Sequence, residues 1–197
     1  MKTLIKNGLV VDPANLVQTH LNLLLEDGKI VAVTEEELEA DRVIDAAGKV
    51  VAPGFIDIHM HEDPVKDDKI QFCIFDAMLR MGVTTAVGGN CGINVYDPVK
   101  YLDLLERDGA PVNVMMFAGH QYYREAAGAL DKYSPVTEEQ RKMMKKGLEE
   151  ALEAGCVGIS YGLRYVPGTG REEFLDTASC CQKEHRLISA HVRDDEE

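Results

Sequence analysis

The chain has 197 residues, 45% of them hydrophobic, and its 34 acidic against 21 basic residues give a formal net charge of −13. A chain of this length can bury one good core, or one core with a small satellite domain. Because no cluster of Lys and Arg interrupts the acidic balance, there is no basic face for a phosphate backbone, and we expect no nucleic-acid partner.

Residues 1–52 are predicted to form short β-strands. Runs rich in Val, Ile and Leu occur at residues 3–11, 21–25 and 29–33. The sequence Glu26-Asp27-Gly28, which separates the last two runs, is a hairpin turn signal. This segment is therefore predicted to be a small β domain, either a sheet or half of a β-sandwich.

Residues 53–197 follow a different pattern, because apolar runs of strand length alternate with amphipathic runs of helix length, as in βα units around a parallel sheet. The predicted strands are residues 54–58, 84–88, 112–118, 157–160 and 187–190. The predicted helices are residues 69–81, 98–108, 138–154 and 171–185. Thr137 with Gln140, and Thr169 with Glu172, fit capping boxes at the starts of the last two helices.

The predicted fold class is α/β: a partial TIM-type (β/α) barrel of about five βα units, preceded by the small β-sandwich half-domain. A complete eight-stranded barrel takes about 250 residues, more than residues 53–197 provide. An open partial barrel would expose the edge of its fifth strand and the apolar flank of its last helix. We therefore expect a second chain that completes the barrel, or a homo-oligomer, to cover them.

The strongest candidates for chemistry are His59 and His61, an His-x-His pair predicted at the C-terminal end of the first, buried barrel strand. Because side chains alternate along a strand, both imidazoles would point the same way and could chelate one cation. A bare His-x-His pair is more often a polar strand edge. Its position nevertheless favours a site, since catalytic residues of such barrels lie at the C-terminal ends of strands.

Three further residues lie at predicted strand ends. Cys91 follows the second barrel strand in Gly89-Asn90-Cys91-Gly92, where the permissive backbone fits two alternatives equally: a thiolate ligand or bridge, and a buried small residue. His191 ends the last strand and is a candidate fourth ligand, although a core histidine is the commoner role. His120 ends the third strand and is a candidate for contact with the substrate or with a metal ligand.

Several motifs resemble those of amidohydrolase enzymes. The opening Ile5-Lys6-Asn7-Gly8 and residues 44–57, which include Ala52-Pro53-Gly54-Phe55, are similar to the N-terminal half of the amidohydrolase superfamily. Within it, residues 89–92, 158–163 and 190–193 resemble the D-aminoacylase (N-acyl-D-amino-acid deacylase) branch. The resemblance covers essentially the whole chain, as the N-terminal portion of such an enzyme.

The resemblance implies a metal centre. His59 and His61 would belong to one metal site, and His191 would be a ligand of the main metal. Cys91 stands where other branches place a bridging carboxylate or a modified lysine. Zinc, as one ion or two, is the implied cofactor, and imidazole and thiolate donors suit it better than they suit magnesium or calcium.

The activity implied by the resemblance is metal-assisted hydrolysis of a linear amide bond, with an N-acyl amino acid or a related small amide as substrate. The resemblance also implies a further histidine, a substrate-side lysine and an aspartate base, all expected beyond Glu197. No catalytic base is therefore assigned within the chain. Arg193 is a candidate clamp for the substrate carboxylate. We therefore expect the chain alone to be incomplete and inactive.

Two alternatives stay open. A cyclic amidase of the dihydroorotase or hydantoinase kind would use a carbamylated lysine on the fourth barrel strand, but residues 155–161 contain no lysine. The other alternative is a non-catalytic product: a truncated or decayed chain, a chain ended by a recoded stop codon, or one subunit of a split enzyme.

The cellular compartment is predicted from what the sequence lacks. The five cysteines are odd in number and form no C-x-x-C array, which argues against a disulfide framework or a zinc finger. Met1 begins no signal-peptide pattern, and no apolar run approaches the roughly 20 residues of a membrane span. We expect a soluble, cytoplasmic protein with no membrane partner.

Overall fold

The computed structural model describes residues 1–184 and 186–194. The chain divides into two compact units, Met1–Gly54 and Phe55–Glu197. The boundary proposed from sequence, between residues 52 and 53, lies two residues before this division. Among the described residues, no helix combines the length and apolar character that crossing a membrane requires.

The first unit is a five-stranded sheet. Its strands are β1 (Lys2–Asp12), β2 (Val17–Glu26), β3 (Lys29–Thr34), β4 (Arg42–Asp45) and β5 (Val50–Val51). The order is β3-β2-β1-β4, and β5 also pairs with β1. The predicted hairpin is present, with positive φ at both Asp27 (49°) and Gly28 (78°), as a two-residue hairpin turn requires. The sequence prediction missed β4 and β5.

The second unit alternates strands and helices around a parallel sheet. Its strands are β6 (Phe55–Asp57), β7 (Val65–Lys66), β8 (Lys69–Ile70), β9 (Val83–Gly88), β10 (Asn113–Gly119), β11 (Gly158–Gly162) and β12 (Leu187–His191). Its helices are α1 (Ile74–Arg80), α2 (Pro98–Asp108), α3 (His120–Ala126), α4 (Glu138–Glu153) and α5 (Arg171–Ala178). The sheet order is β12-β11-β10-β9-β6, all parallel. This curled half-barrel confirms the predicted α/β class.

The core of the second unit lies between the sheet and the helices that cover it. Helix α4 buries Met144 and Leu148 completely, at the helical spacing of four residues, and strand β11 buries Ile159 completely. These apolar side chains belong to one contiguous cluster that reaches from α1 to β11. The cluster packs the helices against the strands whose C-terminal ends carry the candidate site residues.

Two predicted helices have different bounds in the structure. Residues 69–73 are not helical, because Lys69–Ile70 pairs with Val65–Lys66 in a two-residue hairpin, and α1 begins only at Ile74. The last predicted helix is α-helical to Ala178 and continues as a 3₁₀ helix over Ser179–Glu184. Its predicted end, His185, lies outside the described residues. Helix α3 was missed because it follows β10 with no intervening loop.

The prediction of a buried first barrel strand was wrong. Phe55 and Ile56 of β6 are 68% and 66% exposed, because β6 is an edge strand that, among the described residues, pairs with β9 alone. At the other edge, Leu187 and Ile188 of β12 are also exposed, together with Leu175 of α5. The expected exposure of the fifth strand and of its helix is therefore present, and the first strand shares it.

One of the two predicted capping boxes is present. The Gln140 backbone N–H donates to Thr137 Oγ1 (3.2 Å), and the Thr137 backbone N–H donates to Gln140 Oε1 (2.9 Å). The box at Thr169 was wrong, because α5 is capped one residue later, at Gly170. Within the part of the chain that the structure describes, the buried Thr169 Oγ1 has no hydrogen-bond partner.

We expect Thr137→Ala to lower the free energy of unfolding by about 1 kcal/mol, because it removes an acceptor for the first turn of α4. Thr169→Val, which replaces an unpaired buried hydroxyl by a methyl group of similar shape, should be neutral or slightly stabilising. Urea unfolding of both variants measures the difference. A loss at Thr169→Val as large as that at Thr137→Ala would contradict the assignment of the two caps.

Candidate metal centre

His59 and His61 lie beyond the end of β6, which stops at Asp57. The alternation of side chains along a strand therefore does not determine where these two histidines point. The His59 backbone N–H donates a hydrogen bond to the Asp57 carboxylate (3.0 Å). Their ring centroids are 6.3 Å apart and nearly perpendicular, and both side chains are exposed. Irregular backbone at the strand end, rather than strand geometry, aims the two imidazoles.

Cys91 lies in a tight turn after β9. Its φ of 59° is left-handed, which is uncommon for a residue with a Cβ, and Gly89 (φ 72°) and Gly92 (φ 77°) share this conformation. A Cβ at Gly89 would lie 2.3 Å from the Phe117 carbonyl oxygen, so only glycine fits there. The turn thus brings Cys91 against the ends of the neighbouring strands, where it is 5% exposed.

The donor atoms of His59, His61 and Cys91 all lie within 4.8 Å of one another. Cys91 Sγ is 3.4 Å from His59 Nε2 and 3.8 Å from His191 Nδ1. In a tetrahedral zinc site with Zn–N of about 2.0 Å and Zn–S of about 2.3 Å, neighbouring N and S donors lie about 3.5 Å apart. The spacing and the imidazole and thiolate chemistry of these side chains therefore fit a zinc-like cation.

Burial raises the pKa of the Cys91 thiol. Without a cation the thiol thus holds its proton at neutral pH, and a cation that binds here must displace it.

His191 ends β12 as predicted and lies next to the group of His59, His61 and Cys91. The Tyr165 hydroxyl lies 3.1 Å from His191 Nδ1, and the two rings contact edge to face with centroids 4.8 Å apart. Tyr165 therefore restrains the orientation of His191. No sequence motif marked this tyrosine, which lies in the loop after β11.

Glu62, which directly follows His61, holds the turn that contains Cys91. Its carboxylate is 2% exposed and accepts hydrogen bonds from the backbone N–H groups of Gly89 (2.9 Å) and Val95 (3.0 Å). From the other side, the Ser160 hydroxyl of β11 donates to the Gly89 carbonyl and accepts from the Gly92 N–H (3.0 Å). A charged residue immediately after the His-x-His pair was the signal that could have revealed Glu62.

Asp63 performs a different task. Its buried carboxylate accepts hydrogen bonds from the backbone N–H groups of Cys73 (3.1 Å), Ile74 (2.7 Å) and Phe75 (3.0 Å). It therefore caps helix α1, whose own N-cap residue supplies no side-chain acceptor. Neither Glu62 nor Asp63 presents a free carboxylate oxygen to the metal centre in this arrangement.

His120 is placed at the end of β10, as expected, but its ring is 1% exposed. Its Nε2 lies 2.9 Å from Glu173 Oε1, and Arg124 Nη1 donates to the same carboxylate at 2.8 Å. We call these three residues the His120–Glu173–Arg124 cluster. A contact between His120 and substrate stays a prediction, because this cluster occupies its Nε2.

Arg193 donates from Nη1 to the Pro167 carbonyl (2.6 Å) and from Nη2 to the Thr169 carbonyl (2.9 Å). It thereby ties the end of β12 to the loop between β11 and α5. Its role as a clamp for a substrate carboxylate stays a prediction, and in this structure both bonded nitrogens serve the loop.

Comparison with known proteins identifies the family. The model of the amidohydrolase family matches residues 42–164. The chain belongs to the amidohydrolase family. It is 31% identical to the N-acyl-D-glutamate deacylase of Alcaligenes xylosoxydans xylosoxydans over 216 residues, covering 97% of this chain and 43% of that protein. It is 30% identical to the D-aminoacylase of the same organism over 220 residues, covering 98% of this chain and 45% of the relative.

A dihydroorotase of Lactobacillus helveticus also matches this amidohydrolase chain, with 48% identity over 196 residues, 99% of this chain and 42% of that protein. The chain thus spans less than half the length of the curated relatives it matches. Among solved structures, the N-acyl-D-glutamate deacylase of Bordetella bronchiseptica, complexed with zinc and a phosphonate mimic of the tetrahedral intermediate, superposes with a TM-score of 0.84. That match has 30% sequence identity and covers 98% of this chain and 45% of the other.

A D-aminoacylase structure superposes with a TM-score of 0.86 at 28% identity, over 98% of this chain and 45% of that one. An L-hydantoinase of Arthrobacter aurescens superposes less well, with a TM-score of 0.64 at 19% identity, over 96% of this chain and 40% of the hydantoinase chain. At this identity the match supports a similar fold and nothing more. The resemblance to the D-aminoacylase branch of the amidohydrolase family is therefore confirmed.

The His120–Glu173–Arg124 cluster predicts a pH-dependent stability. Burial by itself raises the pKa of Glu173, but the hydrogen bond from His120 and the guanidinium of Arg124 outweigh it and hold the pKa below its usual value. A carboxyl with a depressed pKa contributes stability above its unfolded pKa of about 4.3, and this stability is lost as the pH falls through the folded pKa.

We therefore expect Glu173→Gln to lower the free energy of unfolding by about 3 kcal/mol at pH 7, with the gap to wild type narrowing as the pH falls below about 4.3. Urea unfolding between pH 3 and pH 7 measures it. Glu172→Gln, at the neighbouring exposed position, is the matched control and should change little. A gap that stays constant with pH would rule out the ion pair as its cause.

Proposed function

We propose that this chain carries the metal-binding part of a hydrolase that cleaves linear amide bonds, in the manner of the N-acyl-D-amino-acid deacylases. The observation that supports this most directly is the convergence of His59 Nε2 and Cys91 Sγ at 3.4 Å, with His61 in the same group. The ends of β6, β9 and β12 bring His59, Cys91 and His191 close together, as expected of an active site at the C-terminal ends of barrel strands.

Each side chain has a defined task in this proposal. His59, His61 and Cys91 would hold the cation, and His191, restrained by the Tyr165 hydroxyl, would hold it or a second ion from the opposite edge of the sheet. Zinc, when bound, supplies Lewis-acid catalysis for attack of water on the amide carbonyl. The acyl amino acid is the proposed substrate class because the deacylase relatives bear that name.

The proposed catalyst is incomplete without a further carboxylate base. The acidic side chains next to the histidine pair in sequence, Asp57, Glu62 and Asp63, all accept hydrogen bonds from backbone N–H groups. We propose that the base that moves the proton to the leaving nitrogen comes from polypeptide outside residues 1–197, as the resemblance to the deacylases implies. The exposed edges at β6 and β12 are the places where a second chain carrying further strands would pair.

A cyclic amidase is the second candidate, because the dihydroorotase of Lactobacillus helveticus is 48% identical over nearly the whole chain. Two features favour linear amides instead. Strand β11, Gly158–Gly162, contains no lysine that carbon dioxide could modify, and Cys91 supplies a thiolate at the point where the metal donors meet.

The first test is metal content. The purified 197-residue chain should bind close to one equivalent of zinc, and Cys91→Ala or His59→Ala should weaken binding about 10-fold or more, because each removes a donor. His191→Ala tests the neighbouring donor in the same way. The matched controls are Cys181→Ala, a buried cysteine on the 3₁₀ helix, and His20→Ala on β2. Equal zinc binding by Cys91→Ala and wild type, measured by plasma emission after equilibrium dialysis, would sink the proposed centre.

The second test separates linear from cyclic substrates. Protein isolated from its native host, with any chain that accompanies it, should release carboxylate and amino acid from N-acetyl-D-glutamate or N-acetyl-D-methionine and leave dihydroorotate unchanged. The recombinant 197-residue chain alone should turn over none of them, because it lacks the base. Hydrolysis of dihydroorotate alone would replace the proposal by the cyclic amidase, and turnover by the lone chain would contradict the missing base.

A further inference from the structure

Asn90, the residue before Cys91, has a side chain that is 1% exposed and fully engaged. Its Nδ2 group donates to the Val87 carbonyl at 2.8 Å, at the end of β9, and to the Ile58 carbonyl at 3.2 Å. The Met60 carbonyl lies 3.5 Å from the same nitrogen. Ile58 and Met60 are the residues on either side of His59, so the Asn90 amide holds the backbone that orients His59.

The other half of the amide contacts the opposite edge of the sheet. Asn90 Oδ1 accepts a hydrogen bond from the Ser189 hydroxyl at 3.4 Å, and Ser189 lies on β12 two residues before His191. Residues two apart on a strand face the same side. One buried amide therefore links the three backbone segments that carry His59, Cys91 and His191.

We propose that Asn90 is a positioning residue of the metal centre, whose amide fixes the distance between the Cys91 thiol and the two histidines that flank it. This inference rests on the proposed function, since it assumes that these residues bind a cation. The amide suits the task because it offers two donors and an acceptor on one rigid plane. An aspartate of the same shape would face the three carbonyl oxygens with no donor.

A purely structural Asn90 would act differently. Loss of a buried amide that only supported the fold would lower stability and leave the metal geometry of the folded molecules intact. Loss of a positioning residue changes the affinity and the spectrum of the bound ion in molecules that remain folded, typically 10-fold to 100-fold in affinity. Cobalt(II) reports this directly, because a cobalt–thiolate bond produces an intense near-ultraviolet charge-transfer band.

The experiment is titration of the full chain with cobalt(II), followed by absorbance, for wild type, Asn90→Asp, Asn90→Ala and Ser189→Ala. Leu148→Ala, which leaves a cavity in the core where helix α4 packs, is the control for a loss of stability alone. We expect the Asn90 variants to bind cobalt about 10-fold to 100-fold more weakly with a diminished or shifted thiolate band, Ser189→Ala to change in the same direction, and Leu148→Ala to match wild type.

Each other outcome is decisive. A wild-type affinity and band in the folded Asn90 variants would overturn the positioning role, as would an equal loss in Leu148→Ala. If the Asn90 variants do not fold, Ser189→Ala decides, and an unchanged spectrum there rejects the role. If wild type itself binds no cobalt, the proposed metal centre fails, and the inference falls with it for that separate reason.

Discussion

The turn at Cys91 is the constraint on which the candidate site depends. A left-handed backbone at a residue with a Cβ costs roughly 1–2 kcal/mol, and such strain persists only where the surroundings hold it in place. Here the surroundings are specific: Glu62 binds the turn from one neighbouring strand end, Ser160 binds it from another, and glycine at position 89 lets it approach the β10 backbone. The thiol therefore reaches the point where the imidazoles meet.

Local sequence patterns predicted what local interactions determine. The Asp27-Gly28 turn, helix α2 and the cap at Thr137 depend on a few adjacent residues, and the structure has all three. The wrong cap at Thr169 shows the limit: the N-cap of α5 is Gly170, and Glu173 in its first turn is engaged by Arg124, which is 49 positions away from Glu173 in sequence.

The candidate site divides in the same way. The four residues proposed as metal ligands could be singled out because each lies at or beyond a strand end in a distinctive motif. Their supports, Asn90, Glu62 and Tyr165, act across 26 to 99 positions of sequence, a span that no periodicity can reveal. Exposure of β6 was also beyond the sequence pattern, because its apolar residues look the same whether or not another strand covers them.

The two edge strands of the half-barrel, β6 and β12, are also the strands next to the histidines proposed as metal ligands. His59 and His61 follow β6, and His191 ends β12, so a cation shared between them would fasten one margin of the sheet to the other. A polypeptide that pairs with both β6 and β12 would also constrain the distance between these two strands. Thermodynamic linkage then makes the two events reciprocal: the factor by which such a partner tightens metal binding is the factor by which metal tightens the partner.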